Sequence, residues 1–597
     1  MGRKIKAEAG MAPPSSRPRK RHRAPLLWLV LPFLGGLIVS SWFPGAGSGP
    51  WPVVISQGAL TLALTAIFAG TLRGRRAGRA WGVAICATMG MVGFAMGVKT
   101  APPRLFSGRE AAEAAPAAPP TGLSSALHRV DVLVLKISAP RSLGHPSGSP
   151  GRRWVTCSGL GKIVRIDAPG AGPPAQLGAL VGHRVYFSIV MPAEGDAPQR
   201  TAIIRLSGTL RSVPARGGAD SFNGYLRGLG VAAELSPAWL HAELKPPSWF
   251  SERCETLADR MSAILGLGFE RRPDLAAIYR AMMLGRKTDL TPAQKELFVA
   301  SGTMHLFAIN GLHIGIVALT VHALLALLRC PRPIGSALVL GVLWLDVQST
   351  GASPSALRAF LMTSAVEAAH VLWLPINPLA AITLAAAIML ALDPRDAFGA
   401  SFQMSFGVVT ALALLGVPLS DWLQQRYPAY PSVTANALNL MQRVRRAVQI
   451  HLLGAAGFGA AAAAVSAVTG VEYFGRFAPS GLFANLALMP LATLVIIAGF
   501  ASIVCGLAHA TVLSVLFNAA SRLLLQTIAA ALTEIVQWPV ASVSLHYRAD
   551  WVGPAALCAL LATCFWGYAH DWAKPAGGWQ PPFVVAGFAL LLGAQPG

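Results

Sequence analysis

Charge is what this sequence most lacks: Asp, Glu, Lys and Arg make up 13% of its 597 residues, against about 25% in an ordinary soluble domain. That deficit excludes a soluble enzyme. Cysteine is scarce too, with seven in the chain and no CxxC pair, so neither a disulfide scaffold, a zinc ribbon nor a thioredoxin-like site is on offer. Five of them (Cys86, Cys330, Cys505, Cys558, Cys564) sit in or beside apolar segments. Cys157 and Cys254 lie in polar surroundings, where one disulfide between them is open but unsupported by spacing. The sequence also lacks GxxxxGK[ST] and HExxH, which excludes a Walker-type ATPase and a zincin. No His/Asp cluster has dinuclear-metal spacing, and residues 101–249 show no nucleophile with its base. The chain is therefore expected to be no enzyme and to need no metal or cofactor.

What is abundant is apolar sequence, 54% of the chain. Uncharged stretches long enough to cross about 30 Å of hydrocarbon recur from Leu26 to Phe43 onward, which reads as a polytopic membrane protein. The net charge of +23, from 49 Lys and Arg against 26 Asp and Glu, orients such helices and touches anionic lipid head groups. A polyanionic ligand is a third source of the same bias.

Residues 1–25 read as a disordered basic cytoplasmic tail, and 26–100 as N-terminal transmembrane helices near 26–43, 52–72 and 81–99. Arg73, Arg75, Arg76 and Arg79 place the second loop in the cytoplasm and residues 101 onward outside. Between 101 and 249 long apolar runs give way to alternation, as in Val130, Val132 and Val134, with Gly/Pro-rich breaks. Period two predicts strands near 129–138, 153–167, 183–191 and 201–211, a short helix at 222–230 and a fifth strand, enough for a small OB-like barrel. Residues 111–120 are its linker. Residues 250–302 are amphipathic helices suited to the membrane surface. From 303 to 597 spans are expected near 304–328, 333–350, 354–373, 376–392, 400–418, 447–470, 480–508 (long enough to be broken), 512–537, 551–569 and 581–594, with Arg329, Arg332, Arg426, Arg443, Arg445 and Arg446 marking cytoplasmic loops. The fold class is a polytopic α-helical membrane protein with a small extracytoplasmic all-β OB-like domain.

Polar residues at membrane depth are costly enough to be functional candidates, although helix glue is their commoner role. Asn310 and His313 share a helix face, His305 lies about one turn off that line, and Gly311 with Gly315 spaces a small-xxx-small seam for close helix approach. Two readings stand: a tightly packed helix, or a discontinuous one lining a polar path. Arg358 follows a Gly/Pro-broken stretch with Gly351 and Ser355, and Glu367 and His370 are spaced to pair with each other or with Arg358. Gln403, Ser405 and Asn485 lie in further spans.

These segments carry a resemblance. His305-Leu-Phe-Ala-Ile-Asn310-Gly311-Leu-His313-Ile-Gly315 is similar to the HLLAISGLHVG signature of the ComEC family, inner-membrane channel proteins of natural transformation. In order after it, Thr350-Gly351 to Arg358-Ala359 resembles TG-x-SPS-xx-RA, Asp393-Pro394 with Phe402 to Phe406 resembles DP…FQLSF, and Phe483-Ala-Asn485 to Pro490-Leu491 resembles FAN…PL. Ser221 to Gly230 also resembles part of the family's N-terminal domain. Asn310 stands where the family usually has Ser, and the metallo-β-lactamase-like domain of many members, with its HxHxDH motif, is not found in these residues.

The resemblance implies a multi-pass protein of the bacterial inner membrane that passes single-stranded DNA into the cytoplasm, with a DNA receptor, a cytoplasmic helicase motor, a separate nuclease and membrane lipids as partners. It makes 303–597 the channel domain, with Arg358 as a positive charge facing phosphate. Trp154, Tyr186, Phe187 and Arg184 are the expected DNA contacts of the external domain, set against the plainer reading that its aromatics are core. The alternatives are an enzyme acting on lipid or peptide through His305, His313 and Glu367, and a degenerate member that transports nothing.

Overall fold

The computed structural model describes residues 27–41, 87–94, 96, 128–138, 141–143, 154–167, 180–213, 221–307, 309, 311–428, 439–538, 541–549, 551–572 and 578–596. The basic tail, the expected span at 52–72, the basic loop at 73–79, most of the span at 81–99, the 111–120 linker, Cys86 and Asn310 lie outside them.

After helix α1 (Leu27–Ser41), the chain forms β1 (His128–Ile137), β2 (Arg141–Leu143), β3 (Trp154–Asp167), β4 (Arg184–Pro192), β5 (Ile203–Ser212), helix α2 (Phe222–Gly228) and β6 (Val231–Lys245). The strand order is β1-β5-β6-β4-β3-β2, and β1 also pairs with β3, so five strands close into a ring with β2 beside β3. Every pairing is antiparallel except β4 with β6. Closure leaves no ring strand with an open edge. Alternation on β4 sends Val185, Phe187, Ile189 and Met191 inward, where they meet Val130, Val132, Ile204 and Leu206. Phe187 fits because Gly159 faces it: a Cβ there would come within 2.5 Å of the ring.

Helices α3 (Trp249–Gly266), α4 (Pro273–Leu284) and α5 (Pro292–Ala300) follow. The expectation that they lie on the membrane surface is corrected for α4, in which Leu275, Ala276, Ile278, Tyr279, Met282 and Met283 are all buried. Their partners are the apolar residues of α12 (Ser480–Leu507) and α13 (Thr511–Val536), which share one core with α4. Burial on nearly every side leaves α4 no face for a lipid surface.

The expected span at 304–328 is broken into a 3-10 turn (Met304–Phe307) and α6 (Gly311–Leu327). Then come α7 (Arg332–Ser349), α8 (Pro354–Val371), α9 (Pro378–Leu392), a 3-10 turn at Pro394–Phe398, α10 (Ala400–Arg426) and α11 (Leu440–Phe474). After α12 and α13, α14 (Val552–Ala569) and α15 (Gln580–Gly593) end the bundle. The segment expected to be broken, α12, runs continuously through Pro490, while α10 takes a π turn at Leu412–Gly416. Among the described residues α10 to α14 are long and apolar enough to cross a membrane, and α6 and α9 are shorter apolar helices. Leu324, Leu327 and Leu338 are exposed on α6 and α7, which suits lipid and would be unfavourable in water. The chain is a multi-pass membrane protein.

The barrel fixes which helix ends lie together. Arg200 donates from Nη1 to Gln348 Oε1 at the end of α7 (3.0 Å), and Arg184 donates to Asp393 just after α9. Helix α7 starts at Arg332, about 24 Å away at 1.5 Å per residue, and α10 starts beside the docked turn and ends at Arg426. The barrel and the basic residues Arg329, Arg332 and Arg426 thus stand at opposite ends of the same helices.

Candidate functional site

A polar joint connects the barrel to the turn after α9. Ser221 caps α2 by accepting from Gly224 N at 3.0 Å, and the chain leaves α2 through Gly230 at φ 69°. A Cβ at Gly230 would stand 2.7 Å from Arg395 Cδ, so glycine is needed there both for its backbone angle and for room. Arg395 Nη1 donates to Gly230 O at 3.3 Å, and Asp393 Oδ1 accepts from Arg395 N at 3.0 Å to close the turn. Asp393 Oδ2 accepts from Arg184 Nη2 at 2.5 Å, and Arg184 Nη1 donates to Leu229 O at 2.8 Å. Both side chains are about a quarter exposed (28% and 25%). The pair therefore lies between exposed ones, worth about 0–1 kcal/mol, and buried ones, whose breakage costs about 3–5 kcal/mol. His183, next to Arg184, is held below the ordinary imidazole range by burial and then by the positive charges of Arg395 and Lys162.

Below this joint the separated polar segments of the sequence meet. Ile309, Ile314 and Val317 pack with Val347, Ala356 and Ala359, which seats the break before α6 against the end of α7 and the start of α8. Leu306 and Phe307 share a core with Ala484 and Leu488 of α12. Arg358 Nη2 donates to Ser401 Oγ at 3.1 Å, its guanidinium lies 5.7 Å from the Phe406 ring centre, and only 1% of the residue is exposed. This corrects the expectation that Arg358 faces phosphate: it is a strut between α8 and α10. Gln403 donates to Ala397 O (3.1 Å) and accepts from Tyr473 OH (2.7 Å), tying α10 to α11. Ser355 Oγ lies 3.2 Å from Ser353 Oγ, the cap of α8. Ser405 is half-buried.

The glycines behave in the opposite way. Among the described residues, a Cβ added at Gly311, Gly315 or Gly351 would meet nothing within 4 Å. Among the described residues Gly311 and Gly315 therefore meet no helix at a close seam, and all three leave bare backbone beside space that none of those residues fills. His305 is exposed at the same break, whereas His313 is buried with neither ring nitrogen in hydrogen-bond geometry among the described residues. Asn485 Oδ1 is likewise buried without a partner among them.

Glu367 pairs with neither His370 nor Arg358. Its partners are His322 and Ser336, two residues that sequence reasoning missed. His322 carried a readable signal, a polar group in an apolar run, while a lone Ser carries almost none. In the barrel, Phe187 is fully buried and cannot stack on a ligand, and Arg184 is engaged in the joint. The exposed aromatics are instead Phe222 and Tyr225, about half exposed, and Trp239 on β6, with Tyr186 edge-on to Phe222 at 5.3 Å. Trp154 lines a cleft of about 400 Å³ with Trp239 and Pro192. Cys157 and Cys254 are both free thiols.

Residues 282–569 match the model of the competence protein family. The ComE operon protein 3 of Bacillus subtilis (strain 168) is 34% identical over 142 residues, a match covering 24% of this chain and 18% of that protein. No solved structure matches the chain.

Proposed function

We propose that this chain, which belongs to the ComEC family of competence proteins, forms an inner-membrane channel that passes single-stranded DNA into the cytoplasm. The observation that carries this reading is the open backbone at Gly311, Gly315 and Gly351, on helix starts that adjoin the docked barrel. A strand bears one negative charge per nucleotide and cannot cross hydrocarbon, so its path must be wet and walled by protein. Bare backbone beside open space offers polar groups without side-chain bulk. The OB-like barrel is held above these openings by Arg184, Arg200 and Arg395, and its exposed Phe222 and Tyr225, with the half-buried Tyr186 beside them, are suited to stacking bases. A DNA receptor, a cytoplasmic helicase motor and a separate nuclease are the partners such a channel needs.

The enzyme alternative loses support because its three residues are not together. Glu367 is held by His322, about 14 Å along α6 from His313. The test is entry of labelled single strands into vesicles carrying the purified protein, with a strand motor or a salt gradient as driving force. Entry above that of empty vesicles, lost with Gly311→Leu, is expected. Equal entry with and without the protein would overturn the proposal.

A further inference from the structure

We propose that Glu367, His322 and Ser336 form a binding site for one proton, which ties the barrel-remote ends of α6, α7 and α8 together. The site stands on its own geometry. Its consequence, that protonation regulates passage, rests on the transport reading above.

Glu367 Oε1 lies 2.7 Å from His322 Nε2, and Oε2 accepts from Ser336 Oγ at 2.7 Å. Glu367 and Ser336 are 6% and 3% exposed, while the His322 side chain is 37% exposed. A carboxylate enclosed in this way is unfavourable unless its charge is matched. Ser336 supplies one hydrogen bond and no charge. With neutral His322 donating from Nε2 the pair carries one negative charge. Binding one proton makes it neutral, and around so enclosed a carboxyl the uncharged form, carboxylic acid with imidazole, is favoured over an ion pair. No second carboxylate or Cys joins them: among the described residues no group of three or more His, Cys, Asp or Glu could hold a metal ion. The donor set thus points to a proton. His322 is the accessible member through which it exchanges, and Glu367 the enclosed member that stores it.

The surrounding charges leave the pair to itself. On α6 the other ionisable group is His313, near its start; on α7 they are Arg332 and Asp346; on α8 they are Arg358 and His370. Helix α9 has none, and α10 has Asp421 and Arg426 toward its end. Arg332 is engaged over the Trp373 ring at 4.3 Å. His322, Ser336 and Glu367 each stand about one turn from the helix ends that lie beside Arg329 and Arg332. At their opposite ends α6 and α8 adjoin the openings at Gly311 and Gly351. A charge change in the tie alters how firmly these helices are held against one another.

Infrared difference spectra of the full chain in phospholipid vesicles, taken across a pH series, test the site without DNA. Wild type should gain the carbonyl band of a protonated carboxyl on acidification. Glu367→Gln should lose it, and His322→Gln should move its midpoint. A band unchanged in Glu367→Gln, or no titrating band at all, would overturn the site. Should Glu367→Gln fail to accumulate, His322→Gln and Ser336→Ala decide: two unshifted midpoints refute it. Strand entry, measured in the same vesicles, should vary with pH in wild type and be flat in Glu367→Gln. Entry independent of pH in wild type refutes the regulatory role while the band preserves the site. Absence of entry at every pH, with the band as expected, refutes the channel and not the proton site.

Discussion

Two helix starts at the barrel end of the bundle treat polarity in opposite ways. At the start of α8 a full guanidinium is closed into protein, with Arg358 reaching Ser401 and the Phe406 face. At the start of α6 there is no charge, yet Gly311 and Gly315 face open space. The difference teaches that an intramembrane charge does not mark the wet side of a helix. A buried Arg that connects two helices adds one hydrogen bond and broad packing, whereas a stretch without side chains is what leaves room for something else.

Emptying the strut should have the largest effect. Arg358→Ala should destabilise the bundle by roughly 2–5 kcal/mol, the range for truncating a large buried side chain, seen as lower membrane abundance and a lower melting temperature in detergent. Arg358→Lys should recover only part of this, because an ammonium lacks the planar fork that spans Ser401 and Phe406. Full recovery by Lys would reduce the strut to its charge.

The joint should come next. Arg184→Asp sets two carboxylates against each other at Asp393, and Asp393→Arg in the same molecule should restore the pair. The double-mutant cycle should give a coupling of roughly 0.5–3 kcal/mol in thermal unfolding of the purified chain. Additive effects would mean that the contact carries nothing.

A smaller effect should follow from pH. Because the folded state keeps His183 below its ordinary value of 6.5, its contribution is complete above that value and is lost as pH falls from there toward the folded pKa. Melting temperature should therefore drop on acidification below about 6.5, and His183→Gln should flatten that part of the slope. Least of all, Gly311→Ala should change stability by no more than about 0.5 kcal/mol, as expected where no described residue comes near the new methyl.

The barrel was more legible than the bundle for a physical reason. One side of each strand faces a core and the other faces water, so alternation in β4 alone separates Phe187 from Tyr186. That same alternation placed Phe187 inside, which the choice of aromatics by type overlooked. In the bundle both sides of a helix are apolar, one against protein and one against lipid, so the sequence marks spans but not neighbours. Hence α7 to α9 fell close to their expected limits, while Glu367 found His322 rather than His370. Asp393 and Ser221 to Gly230 were visible as motifs, but their meeting across more than 160 residues had no local signal.

The comparison between the two helix starts is tested most directly by strand entry per molecule of protein in the membrane, measured for Gly311→Leu and Arg358→Ala side by side. The account predicts that Gly311→Leu accumulates as wild type and loses entry, because the new side chain fills the opening. It predicts that Arg358→Ala loses abundance, with entry per remaining molecule largely kept. Normal entry through Gly311→Leu, or Arg358→Ala at wild-type abundance with entry abolished, would contradict it.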